Sequence, residues 1–228
     1  MSRALYDDAY AQKYRDHDDT LDTSRPYGDL VAWLQDASRR FDAPFDALDL
    51  GCGTGRYFWA LPGARSVTGV DRSAPMLEKA ASPVHADRIT AERVTLVRGD
   101  LSTIEFSPGA FDLVYSVGVL AEHAPLDGRV VSRVAAWLRP GGRFAFTTVH
   151  PDSPSIPQTP LRRFATGVSR VIPAPLDAPL RLRLLTHGLY ADERRVQELL
   201  AGRFSIESLD RFVSEAHLHC RCVARKHQ

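Results

Sequence analysis

Leu48-Asp49-Leu50-Gly51-Cys52-Gly53-Thr54-Gly55 decides the fold of this chain. An apolar stretch, Ala47–Leu50, runs directly into three glycines spaced two apart. A glycine has no Cβ, so the backbone can turn sharply off a strand and a ligand can lie against it. The spacing predicts a strand ending at Leu50 and a helix over Gly55–Leu61, whose first N–H groups would favour a carboxylate or phosphate. An ordinary tight strand-to-helix turn would look similar, and loops of this kind also hold dinucleotides and phosphates.

Outward from this turn the chain keeps a regular rhythm. Short strands are expected at Ala47–Leu50, Val67–Val70, Val94–Val97, Phe111–Ser116 and Arg143–Val149. Helical patterns lie between them at Gly55–Leu61, Ala74–Ala81 and Arg129–Leu138. Arg139-Pro140-Gly141-Gly142 reads as a helix stop followed by a tight turn. Strands regularly separated by helices imply an α/β, doubly wound, mostly parallel sheet, with ligands at the carboxyl ends of the strands. A helix at Asp192–Leu200 and strands near Phe204–Leu209 and His217–Ala224 bring the strand count to seven.

Two regions depart from the rhythm. Residues 1–44 read as an N-terminal helical cap, in which Tyr6, Tyr10 and Tyr14 share one helix face. A second cap helix near Pro26–Phe41 carries Leu30, Val31, Trp33, Leu34 and Phe41 as its apolar side. Residues 151–187 hold seven of the chain's fifteen prolines, which forbids a long regular element and suggests an inserted lid after the fifth strand. Within it Leu161, Phe164, Val168 and Val171 are spaced for one helix face, with Arg162, Arg163 and Arg170 on other sides. Contact of 161–185 with a membrane or a lipid-like substrate is conceivable on that pattern, but packing as a lid is favoured. The expected organisation is one domain over residues 1–228. It comprises the cap (1–44), a core (45–150), the insertion (151–187) and a C-terminal helix with two strands (188–228).

The bulk composition narrows the class. At 228 residues there is room for one substantial core. A hydrophobic content of 44% and a net charge of +1 suit a globular protein without a polyanionic partner, so nucleic acid is not expected. The N-terminal residues lack the apolar run of a signal peptide, and three cysteines make no disulfide framework. A cytoplasmic setting is expected.

Three aspartates narrow what the glycine turn holds. Asp49 stands where a dinucleotide turn ordinarily carries a small apolar residue, and its carboxylate suits a cationic amino group. Asp71 closes the second strand, in Val67-Thr68-Gly69-Val70-Asp71, where an acid accepts bonds from both hydroxyls of a ribose. Asp100, in Gly99-Asp100-Leu101, closes the third strand, where an acid can accept a bond from an adenine amino group. A nicotinamide oxidoreductase does not need Asp49 or Asp100 in those places.

With these residues in view, the chain resembles the class I S-adenosylmethionine-dependent methyltransferases of the small-molecule kind. The first family motif resembles Asp49-Leu50-Gly51-Cys52-Gly53-Thr54-Gly55, and the second resembles Val70-Asp71-Arg72-Ser73-Ala74-Pro75-Met76-Leu77. Arg98-Gly99-Asp100-Leu101 is similar to the third. Phe111-Asp112-Leu113-Val114-Tyr115-Ser116, with Val119-Leu120-Ala121-Glu122-His123 after it, is similar to the fourth, and Leu138-Arg139-Pro140-Gly141-Gly142-Arg143 to the turn that follows. The resemblance implies a Rossmann-like fold and S-adenosyl-L-methionine as cofactor. It implies that Gly51, Gly53 and Gly55 meet the methionine part of the cofactor, with Cys52 beside it. Asp71 would take the ribose with Arg72 adjacent, Met76 would cover the adenine, and Asp100 with Leu101 would bound the base. Ser116 and Val117 would meet the amino or sulfonium end, and Tyr14 would cover the carboxylate side.

The methyl acceptor is far less legible. His123 and His150 both fall at carboxyl ends of expected strands, where a neutral imidazole can take a proton from a hydroxyl or amine. Each can equally be a structural histidine bonded to nearby backbone, and Glu122 is a weaker base candidate. His217, His219, Cys220 and Cys222 alternate along a strand, so imidazoles and thiols fall on opposite faces and no metal site is expected. The leading expectation is methyl transfer to a small-molecule O, N or C acceptor. The other class of function is a protein that keeps S-adenosylmethionine or S-adenosylhomocysteine without transferring methyl. No Asn-Pro-Pro-Tyr-type tetrapeptide follows the fourth strand, which argues against a flipped nucleobase as acceptor.

Overall fold

The short runs rich in apolar residues between the turns each form a strand of one seven-stranded sheet. The computed structural model describes residues 7–21, 24–154, 160, 164, 190–214 and 217–228. The strands are β1 (Phe45–Leu50), β2 (Ala64–Asp71), β3 (Arg93–Arg98), β4 (Phe111–Ser116), β5 (Leu138–Val149), β6 (Phe204–Ser214) and β7 (His217–Lys226). Their order across the sheet is β3-β2-β1-β4-β5-β7-β6. The first five run parallel, and β7 is antiparallel to both β5 and β6. The order reverses between β1 and β4, and such a switch point opens a crevice at the carboxyl ends of the strands.

Helices cover both faces. On one, α1 (Asp8–Asp18) and α2 (Arg25–Ser38) form the N-terminal cap. The apolar side of α2, with Leu30, Val31, Trp33 and Leu34, packs in one core cluster with Phe45, Phe58, Tyr115, Ala145 and Val223. On the other, α4 (Gly128–Trp137) and α5 (Glu193–Leu200) bury Val131, Val134, Trp137, Val196 and Leu200 among Leu48, Val114, Phe144 and Phe146. The intervening α3 (Ala74–Ala80) starts with Ser73 as its cap, whose hydroxyl accepts from the Met76 N–H.

Three expectations need correction. The stretch Gly55–Leu61 is not an α-helix: it is a series of turns followed by one 3₁₀ turn, Phe58–Ala60. Gly55 has φ +76°, outside the right-handed helical region, and a Cβ there would meet the Phe58 ring at 2.6 Å. The Arg139–Gly142 turn lies inside β5, where Phe111 pairs with Leu138 but Leu113 pairs with Arg143, so the intervening residues loop out as a bulge. β6 runs five residues beyond the expected Leu209, to Ser214. The inserted lid expected over 151–187, with its arginine-bearing helix face, lies almost wholly outside the described residues. Among the described residues no helix is long and apolar enough to cross a membrane.

Candidate functional site

The glycine turn is folded by its neighbours as much as by its own residues. The N–H groups of Gly51 and Cys52 both donate to the Val70 carbonyl of β2, at 2.8 and 2.9 Å. Gly51 sits at φ +81°, and a Cβ on it would lie 2.6 Å from the Val119 side chain, so the loop after β4 closes on it. Gly53 differs: its φ is +54° and nothing lies within 4 Å of where its Cβ would stand. Its bare backbone faces open space, as a ligand lying against the loop requires.

That space is a cavity of about 420 Å³ at the carboxyl ends of the strands. The loop supplies Gly51, Cys52 and Gly53, and the strand ends supply Asp49, Asp71, Arg72, Gly99, Asp100 and Leu101. Met76 comes from α3, Tyr10 and Tyr14 from α1, and Val117–Val119 from the loop after β4. The far wall is built by His123–Pro125, Thr147 of β5, Phe212 and Ser214 of β6 and His219 of β7.

The three acids sit in different electrostatic settings. Asp49 is only 3% exposed, and burial pushes its carboxyl up to about 8; the Tyr115 phenol opposes that rise and the Asp71 carboxylate adds to it. A cation placed beside Asp49 would reverse this. Asp71 binds the loop: Oδ2 accepts from the Gly53 N–H at 3.0 Å and Oδ1 from the Ser73 N–H at 2.9 Å. A carboxylate has about four lone-pair positions, so capacity for further hydroxyl donors remains. Asp100 takes two bonds from Ser102, N–H and hydroxyl, both on Oδ1, and these hold its carboxyl below the usual range.

The cap is latched to the loop through buried charge. Asp18, at the end of α1, is 3% exposed; it accepts a short hydrogen bond from the Thr54 hydroxyl and pairs with Arg56 at 2.5 Å. Burial raises the Asp18 carboxyl, against the pull of Arg56 and Thr54. The Arg56 guanidinium lies 4.2 Å over the Tyr14 ring, which fixes that tyrosine in the cavity wall. On α2 the Tyr27 hydroxyl donates to the Arg56 carbonyl and accepts from the Trp59 indole.

Of the residues expected at the cofactor, Tyr14, Asp49, Gly51, Cys52, Gly53, Asp71, Arg72, Met76, Asp100, Leu101 and Val117 line this cavity. Gly55 and Ser116 do not. Gly55 is packed on Phe58, and the fully buried Ser116 hydroxyl donates to the Leu50 carbonyl across the sheet, 2.7 Å away. Cys52 is buried, and its thiol is pushed far up by desolvation, so it is no nucleophile at neutral pH.

The two expected bases part company. The His123 ring lines the cavity, with Nε2 3.5 Å from Glu122 Oε1 and the backbone N–H held by the Val119 carbonyl at 2.8 Å. Burial raises Glu122 to about 6. The intervening turn is tense: Ala121 is buried at φ +60°, a conformation a non-glycine residue adopts at a cost. His150 is 1% exposed and is not among the cavity's lining residues. Its Nδ1 accepts from the Asp152 N–H at 3.0 Å, so Nε2 carries the proton and faces Glu193 at 3.3 Å. With no lone pair left, His150 cannot be the base expected of it. His150, Glu193 and Cys220 have ligand-type atoms within 4.8 Å of one another, but Arg211 grips both oxygens of Glu193 and puts a positive charge where a metal would go.

Sequence reasoning missed Arg56, Phe212 and His219. Arg56 follows the glycine turn directly, yet nothing local says that it will reach back to α1. Phe212 lay beyond the expected end of β6, and His219 was read only for its alternation with the cysteines.

Known proteins carry the same frame. Residues 47–142 match the family model described as a methyltransferase domain. A demethylmenaquinone methyltransferase of Lactiplantibacillus plantarum is 37% identical over 116 residues, 48% of this chain and 47% of that protein. A 27-O-demethylrifamycin SV methyltransferase of Amycolatopsis mediterranei is 28% identical over 173 residues, 75% of this chain and 51% of that protein. The chain thus spans about half the length of these curated relatives. Among solved structures, the N-methyltransferase NodS of Bradyrhizobium japonicum, in complex with S-adenosylhomocysteine, has the same fold. Its TM-score is 0.64 at 16% identity, covering 92% of this chain and 91% of NodS. Magnesium protoporphyrin IX methyltransferase from Synechocystis, also with S-adenosylhomocysteine, gives 0.60 at 20% identity, covering 92% and 83%. The cavity fits that group: open backbone at Gly53, a buried acid at Asp49 and acids at the ends of β2 and β3. Residues 47–142 are thus similar to a methyltransferase domain, and the chain shares its fold with methyltransferases solved with S-adenosylhomocysteine.

Proposed function

We propose that the chain transfers a methyl group from S-adenosylmethionine to an O, N or C atom of a small-molecule acceptor. The observation that carries this reading is that the acid-lined glycine loop and the wall of His123, Phe212 and His219 border one cavity. Relatives named for demethylmenaquinone and demethylrifamycin support a small organic acceptor, and a relative named for malonyl-[acyl-carrier protein] keeps a carrier-bound one in play.

When bound, the cofactor supplies a methyl group on a good leaving group, so the residues of this chain mainly bind, align and exclude water. Asp49 pairs with the cationic amino group, Gly53 offers bare backbone, Asp71 takes the ribose and Asp100 the base. Tyr14, held by Arg56, closes the cavity from the cap side. His123 is placed to receive a proton from a hydroxyl acceptor, and an amine that has already lost its proton needs no base.

Incubation with methyl-labelled S-adenosylmethionine and a pool of small metabolites tests the reading by mass spectrometry. Label should appear in an acceptor in step with S-adenosylhomocysteine. Tight cofactor binding without label in any acceptor would support the non-methylating alternative. With a labelled hydroxyl acceptor in hand, His123→Gln should lower kcat by about a hundred-fold. Its affinity for S-adenosylhomocysteine should not change. Wild-type kcat would remove His123 as the base.

A further inference from the structure

We propose that His219 is the acceptor-binding residue, its uncharged imidazole receiving the O–H or N–H of a small, flat acceptor. The proposal rests on the reading of the cavity as a methyl-transfer site. His219 lies on β7 opposite Val149 of β5, and its ring borders the cavity at the wall away from the three acids. It stacks on Phe212, with ring centroids 5.0 Å apart and planes 20° off parallel, so the two present a flat aromatic surface.

The His219 Nδ1 is sealed from solvent and makes no hydrogen bond of normal geometry to any described residue, and the Thr148 backbone is the polar group that bonds the ring. His150 makes the contrast: backbone locks its tautomer and both its nitrogens are engaged. The Thr148 backbone bonds the His219 ring, which favours the proton on the nitrogen it faces and leaves the other nitrogen as the acceptor offered to a donor. Burial, reinforced by the neighbouring His217, lowers it to about 4, with the Thr148 backbone opposing, so the ring stays neutral through the physiological range. A neutral ring does not repel a sulfonium nearby. Equally, one so weakly basic does not keep a proton, so its role is to hold and orient the acceptor.

Matched probes that differ only in the polar hydrogen test this: phenol against anisole, and aniline against N,N-dimethylaniline. They are titrated into ¹⁵N-histidine-labelled protein with and without S-adenosylhomocysteine. Phenol and aniline should shift the His219 ring resonances, assigned by their loss in His219→Phe, and bind about ten-fold more tightly than their methylated counterparts. In His219→Phe, which keeps the flat ring, the preference should fall to about one. His219→Gln should recover part of it. Equal binding of each pair to the wild type, an undiminished preference in His219→Phe, or no binding of phenol and aniline would each overturn the proposal. A separate titration of S-adenosylhomocysteine keeps the outcomes distinct. If that ligand fails to bind while the phenol preference persists, the methyl-transfer reading fails and the acceptor pocket does not.

Discussion

Asp49→Asn is expected to weaken S-adenosylhomocysteine binding about a hundred-fold at pH 8 while raising the melting temperature of the free protein. Both effects come from one buried carboxylate. In the free protein its carboxyl titrates near 8, against 3.8 for the unperturbed group, because burial and Asp71 disfavour the charge. A carboxyl raised by folding contributes stability that is complete below its unfolded value and is lost as pH rises through its folded value. Above pH 8 the fold therefore carries the cost of an ionised Asp49, on the order of a few kcal/mol. Asparagine removes that cost, so thermal unfolding at pH 8 should shift upward. Binding follows the opposite logic. At pH 7 about nine in ten free molecules hold Asp49 protonated, so pairing with a cationic amino group expels close to one proton. Wild-type affinity should tighten as pH rises from 6 towards 8, and the Asn variant should lose that slope. A variant that binds like wild type, or melts lower, would sink the pairing with the amino group.

Asp71→Ala is expected to cost between a hundred- and a thousand-fold in affinity for the same ligand, measured by calorimetry. Two losses combine. The acceptor for the ribose hydroxyls goes, and so do the anchors of the Gly53 and Ser73 N–H groups. Asp71→Asn keeps one acceptor oxygen, so it should retain part of the anchoring and lose less. Faster hydrogen exchange at the Gly53 amide in the alanine variant would report the loosened loop directly. Unchanged affinity in Asp71→Ala would remove the ribose assignment and the main support for the cofactor site.

Local pattern revealed the site wherever backbone and side chain act within a few residues. Asp49, the glycines and the strand-end acids Asp71 and Asp100 were legible because strand ends of a parallel sheet share one edge. Gly55 was misread for want of a tertiary fact: Phe58 folds back over it and holds it out of a helix. Ser116 and Val117 look equivalent at the end of β4, but strand alternation sends the Ser116 hydroxyl to the Leu50 carbonyl and leaves Val117 at the cavity. His123 and His150 look equally placed, and only the pairing of His150 with Asp152 and Glu193 separates them. Arg56, Phe212 and His219 reach the cavity from elements whose relative placement no short-range pattern encodes. Asp18 lies in the acidic run Asp16–Asp22, whose composition alone suggests a loop; its burial against Thr54 and Arg56 exists only once α1 has docked.

The most direct test of the cofactor site is a calorimetric titration of the wild-type chain with S-adenosylhomocysteine and, in parallel, with NAD⁺. Both are run near pH 7 in two buffers of different ionisation enthalpy. The expected result is one S-adenosylhomocysteine per chain, with heats that differ between buffers because Asp49 releases its proton, and no heat from NAD⁺. Binding of NAD⁺ with none of S-adenosylhomocysteine would contradict the assignment of the Gly51–Gly55 turn to a methyl donor.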